Sequence, residues 1–139
     1  MFLENNVKLK QISILSILSI LSIHLYIHMN EATLVHLFHI LIIGSLFLYV
    51  GIYKTTIPKI MFPILLGLGI VIILYHIYKT YNNILHKKGY WVNLIHIILV
   101  GPLLVYIGYH DAKTARLYFE LLLMLGFAAI GYHGYYMIY

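Results

Sequence analysis

The chain has 139 residues, 63% of them hydrophobic and 9% charged, with a mean hydropathy of +0.93 and a formal charge of +5. A water-soluble domain carries about 25% charged residues, so this composition excludes one and predicts a polytopic integral membrane protein. There is no cysteine, which removes disulfides, thiolate metal sites and thiol nucleophiles.

Windows of about twenty residues place apolar spans near 11–29, 33–53, 57–79, 91–110 and 115–137. Residues 1–32 form a tail and a first span, flanked by Lys8 and Lys10 and carrying His24 and His28 one helical turn apart. Within it, "ISILSILSILSI" puts Ser13, Ser16, Ser19 and Ser22 three residues apart. Such a stripe winds around a helix instead of marking one face, and each hydroxyl can bond back to its own helix. The basic flank also fits a signal peptide. No small-x-small cleavage site precedes Glu31, so an uncleaved anchor is the expectation.

Residues 33–80 form one unit of two spans, 81–90 a polar connection, and 91–139 a second unit. The stretches "LFHILIIGSLFLYVG" (37–51) and "LIHIILVGPLLVYIG" (94–108) are near copies. A gapless offset of 57 aligns the units, pairing His39 with His96, Gly44 with Gly101, Tyr49 with Tyr106 and Gly51 with Gly108. It also pairs Gly69 with Gly126, Tyr75 with Tyr132, His76 with His133 and Tyr78 with Tyr135. Each unit reads as a helical hairpin. Two spans per unit make both copies enter the membrane from the same side, related by a pseudo-twofold axis along the normal. Gly44 and Gly51 share one helix face, as do Gly101 and Gly108, and are expected to bring the equivalent helices together near that axis. Gly126, Ala129 and His133 share another small-residue face.

The turns "YKTTIPK" and "HDAKTAR" fall on the side of the N-terminus, with Lys8, Lys10, Lys54, Lys59, Lys113 and Arg116. Lys79, Lys87 and Lys88 lie on the other side. This excess predicts a cytoplasmic N-terminus and an external C-terminus. The tyrosines and Trp91 of the second side read as an interfacial belt.

His39, His76, His96 and His133 fall at one membrane level, near the predicted outer interface. His24, His28 and His36 are secondary members of that level. Asn93 stands where the first unit has His36 and leaves that position outside the symmetric set. Three chemistries use such a layer: axial ligation of a b-type haem with glycine making room for the porphyrin, a zinc, copper or iron site, or proton carriage. Interfacial histidines that are merely half-solvated are the structural alternative. His86 reads as a solvated loop residue and His110 lies at the opposite level beside Asp111. Arg116 and Glu120, four residues apart, read as an interfacial ion pair.

The pairs His24-x3-His28 and His36-x2-His39 resemble boxes of membrane di-iron hydroxylases, but the His-His doublet of that family is absent. No G-x-S-x-G elbow, H-E-x-x-H helix, phosphate loop or pore filter is present, which argues against an enzyme. The expectation is therefore an all-α integral membrane protein of about five transmembrane helices: an N-terminal span plus a pseudo-twofold four-helix core of two tandem hairpins. Its leading function is binding haem b or a transition metal in the histidine layer, for electron transfer or metal handling. The alternative is a cofactor-free structural or assembly protein of a cellular or viral membrane, and a proton or ion conductor comes third. The lipid bilayer is the expected partner, nucleic acid is not, and the composition is compatible with a homo-oligomer.

Overall fold

The computed structural model describes residues 14–17, 19 and 31–138. Among these the chain is all-helical, with no strand. Four helices are long and apolar enough to cross a membrane: α1 (Glu31–Thr56), α2 (Met61–Leu85), α3 (Trp91–Lys113) and α4 (Arg116–Ile138). At about 1.5 Å per residue each exceeds a hydrocarbon thickness of about 30 Å. The expected span over 11–29 lies mostly outside the described residues, as do His24 and His28. Where that span is described, Ser19 Oγ donates to the Ser16 carbonyl at 2.8 Å, the back-bonding that makes a hydroxyl tolerable in an apolar helix.

The two units do not each close on themselves. The extensive packing runs between them, α1 against α4 and α2 against α3. Shifting every residue by 57 exchanges these two pairs, so they are one interface used twice. The glycines show why. A Cβ at Gly51 would lie 2.7–2.9 Å from Cβ, Cα and N of Leu123 on α4, while one at Gly108 would strike Leu66 and Phe62 on α2. Gly44 seats Ile130, and Gly101 seats the equivalent Ile73. Gly69 faces Gly101 and Val105, and Gly126 faces Leu48 and Phe47. The glycines thus admit the non-equivalent helix of the other unit. This corrects the expectation that they join equivalent helices at the axis: the residues that enter the gaps are branched side chains of α2 and α4, which the offset alignment alone does not bring opposite them.

The core repeats in the same way. Phe47 and Leu104, Val50 and Ile107, Phe62 and Phe119, and Leu65 and Leu122 are all buried pairs at the same offset. They fill the half of the bundle nearer the two short turns. The outer faces carry Ile98, Met124 and Leu74, among many exposed apolar residues.

Both turns begin with a non-glycine residue at positive φ, Lys54 at 52° and Asp111 at 54°, followed by a single 3-10 turn. α2 ends differently, with Lys87 at φ 53°. The Lys88 N–H donates to Asn83 O at 2.8 Å and the Lys87 N–H to Ile84 O at 3.1 Å. This is a Schellman end with lysine where glycine is usual.

A second duplicated irregularity lies farther from the turns. α1 is π-helical over His39–Gly44 and α3 over His96–Val100, and the Gly101 N–H donates to the His96 carbonyl five residues back. Pro102 lacks an N–H and follows the second π turn, but Ser45 stands in its place after the first. Proline is therefore not the cause; the shared features are a histidine at the start and a glycine at the end. Single π turns inside α-helices are rare and cluster at functional sites.

Candidate functional site

Each π turn begins at a histidine, and those two histidines meet the two from α2 and α4. His39 stacks on His133 with ring centroids 4.2 Å apart and planes 26° apart. The equivalent pair, His96 on His76, stacks at 4.1 Å and 14°. The two stacks meet edge to face, His39 against His96, at 6.5 Å. All four helices contribute one ring to this row, which crosses the bundle at the end opposite the short turns. His133 is buried, and His39, His76 and His96 are half-buried.

Hydrogen bonds fix the rings. His39 Nδ1 faces the Val35 carbonyl at 2.8 Å, and His96 Nδ1 faces the Val92 carbonyl at 2.8 Å. A carbonyl can only accept, so in both rings Nδ1 carries the proton and the neutral imidazole has its lone pair at Nε2. His76 Nδ1 lies 2.9 Å from Asn93 Oδ1, which imposes the same tautomer. At the equivalent place His133 Nδ1 lies 2.8 Å from His36 Nδ1, so one of those nitrogens donates to the other. His36 also stacks with Tyr136, at 6.3 Å between centroids.

The row therefore reads His36, His133, His39, His96, His76, Asn93, a palindrome about its centre whose two end residues differ. Asn93 is buried at 6% exposure. Sequence comparison set it aside because its identity differs from His36, but the structure gives it the same task. The signal was available: asparagine and histidine at one aligned position can both accept a hydrogen bond. The π turns had no such signal.

Among the described residues no three His, Asp or Glu side chains converge as a ready ligand set; the rings lie face to face. The room expected beside the glycines for a porphyrin is filled by Ile130 at Gly44 and Ile73 at Gly101. His86 is exposed, its Nδ1 donating to the Asn82 carbonyl at 2.8 Å. His110 sits in the far half, its Nδ1 donating to the Tyr106 carbonyl at 3.0 Å and its ring stacked on that tyrosine at 4.0 Å. Arg116 Nε donates to Glu120 Oε1 at 2.5 Å, and Lys54 Nζ approaches the same oxygen at 3.8 Å. That cluster ties the turn after α1 to the start of α4 and lies apart from the histidines.

Comparison with known proteins finds no matching protein-family model, no matching curated protein and no matching solved structure. The reading of this site rests on its own geometry.

Proposed function

We propose that this is a small integral membrane protein whose core is two duplicated two-span units related by a pseudo-twofold axis along the membrane normal. Its His39, His76, His96 and His133 layer, near one interface, binds a transition-metal ion for metal handling or electron transfer, which requires the stacked rings to turn until their Nε2 atoms converge. The observation that carries the reading is the set of oxygen acceptors on Nδ1. Histidine ligands of metals commonly donate their second ring N–H to a carbonyl or carboxylate, which fixes the tautomer and raises ligand basicity. His39, His76 and His96 make such a bond, and no partner to their Nε2 atoms is present among the described residues. Imidazole nitrogen suits zinc, copper, iron and nickel.

Two competing readings are less well supported. A haem needs a porphyrin-sized cleft, whereas the rings stack at 4.1–4.2 Å and the glycine gaps hold isoleucines. A proton path needs titratable groups at successive depths, whereas these histidines share one level. Beyond them Leu65, Leu104, Phe119 and Leu122 are fully buried. Lys54, Lys59, Lys113 and Arg116 on the turn side favour a cytoplasmic location for those turns.

The test is elemental analysis of the protein purified from native-like membranes, with Zn2+ and Co2+ titration and a reduced-minus-oxidised absorption spectrum. Stoichiometric metal that is lost in the His96→Ala, His133→Ala double variant, with helical circular dichroism kept, supports the reading. A Soret band would replace the free ion by haem. A folded wild-type protein that takes up no metal and has no chromophore would sink the reading and leave the structural or assembly role.

A further inference from the structure

The two units also differ on the outer faces of α1 and α3, beside the histidine row. The first half of α1 presents a hollow of about 600 Å³ lined by Leu34, Val35, Phe38, His39, Leu41 and Ile42. Leu34, Phe38, Leu41 and Ile42 are 50–62% exposed. At the same offset α3 has Trp91 in place of Leu34, and that ring meets Tyr132 of α4 edge to face at 6.2 Å. The second unit thus lays a large ring where the first has a short side chain. We infer that the hollow on α1 is the docking surface for the stretch of the same chain that precedes it, residues 18–28, entering as a fifth helix and bringing His24 to the depth of the row. The inference is independent of what the row binds.

Length, chemistry and the broken symmetry select that occupant, itself largely outside the described residues. Only Met29 and Asn30 separate His28 from Glu31, where α1 begins. Two residues reach about 7 Å, less than the roughly 8–10 Å between packed helix axes. An apolar span that ends at His28 therefore returns directly beside α1 and cannot pass round another helix. The walls of the hollow are hydrocarbon apart from His39, and "LSILSIHLYIH" (18–28) matches them. Its Ser19 and Ser22 are small side chains of the kind that let membrane helices approach closely. The second unit is preceded by the polar connection 81–90, which is too short to cross a membrane, and that is the unit in which Trp91 closes the place. Farther from the link, Ile14, Leu15 and Ile17 are exposed, so the docking is confined to the half of the span next to α1. Counted back from the link at about 1.5 Å per residue, His24 falls at the depth of His36 and His39.

The chain has no cysteine, so introduced pairs report the contact. The full chain in nanodiscs carries Phe38→Cys together with Ser19→Cys, Ile20→Cys, Leu21→Cys or Ser22→Cys, which sample every face of one helical turn at that depth. Ile95→Cys, the offset equivalent of Phe38→Cys, replaces it in a control series, and Leu41→Cys is a second reporter should Phe38→Cys lose its helical circular dichroism. After oxidation of mixed isotopically light and heavy chains, peptide mass spectrometry separates links within a chain from links between chains. A within-chain disulfide from position 38 or 41 in at least one pairing, with none from position 95, is expected. Leu34→Trp, which gives the first unit the residue of the second, is expected to abolish it. Links between light and heavy chains would seat a second copy in the hollow, and no link from 38 or 41 would leave the face to lipid. Equal links from 38 and 95, or a link indifferent to Leu34→Trp, would place the stretch elsewhere. Each of these results overturns the inference.

Discussion

Replacing Gly51 by alanine tests the cross-unit packing most directly. The added Cβ would lie 2.7 Å from Leu123 Cβ, 2.8 Å from its Cα and 2.9 Å from its N. Two of these atoms are backbone and cannot rotate away. Ordinary contact starts near 3.4 Å, so α1 and α4 must separate by about 0.5–0.7 Å. A radial gap of about 0.5–1 Å forfeits a quarter to a half of each dispersion contact along the seam, and overpacking costs roughly 1–3 kcal/mol. The backbone obstruction puts Gly51 near the top of that range, offset by about 1 kcal/mol of helix propensity gained by alanine over glycine. The net expectation is a loss of about 2 kcal/mol, measured by SDS titration in mixed micelles with circular dichroism. Gly108→Ala, against Leu66 and Phe62, should show the same loss. Gly67, whose added Cβ meets nothing within 4 Å, is the control and should gain up to about 1 kcal/mol. If Gly51→Ala proves as stable as Gly67→Ala, the seam is not where the glycines place it, and the argument for two equivalent interfaces fails.

Two further outcomes are expected. Lys87→Gly removes the left-handed strain at φ 53° and should raise stability by about 1 kcal/mol in the same titration, and no gain would mean that the helix end has another conformation. Because the chain has no cysteine, single cysteines report topology cleanly. Thr55→Cys and Ala112→Cys should be labelled from one side of a sealed vesicle and Lys87→Cys from the other, with the first two protected from an external impermeant reagent. Labelling of Thr55→Cys and Ala112→Cys from opposite sides would break the parallel relation of the units.

Four of the five expected spans were legible because lipid compatibility is written residue by residue: a run of apolar side chains is the same signal whichever neighbour it meets. The joining of His39, His76, His96 and His133 followed from their depths along four helices. Helix pairing was not legible. Core and lipid-facing positions are both apolar here, so hydropathy carries no record of which face of α1 meets α4. Gly44 and Gly51 marked a close approach correctly and named the wrong partner, since a glycine records where space is made and not what fills it. The π turns at His39 and His96 leave no mark in hydropathy or spacing, because an extra backbone residue in one turn alters neither over the length of a span. Position 93 was misread for a chemical reason: identity was compared where hydrogen-bonding capacity was what the units share.

Pairing α1 with α4 also sets a timetable. During synthesis the stretch of chain that buries Gly44 and Gly51 is made after α2 and α3. At roughly 5–20 residues per second, α1 spends several seconds with its seam against lipid while α2 and α3, joined by a short connection, have already met. The first unit released alone would hold one half of each seam and no complement, whereas two such units side by side would hold both. α4 is therefore the stave that closes the barrel: until it arrives, the bundle has its shape in outline and the row of rings lacks His133.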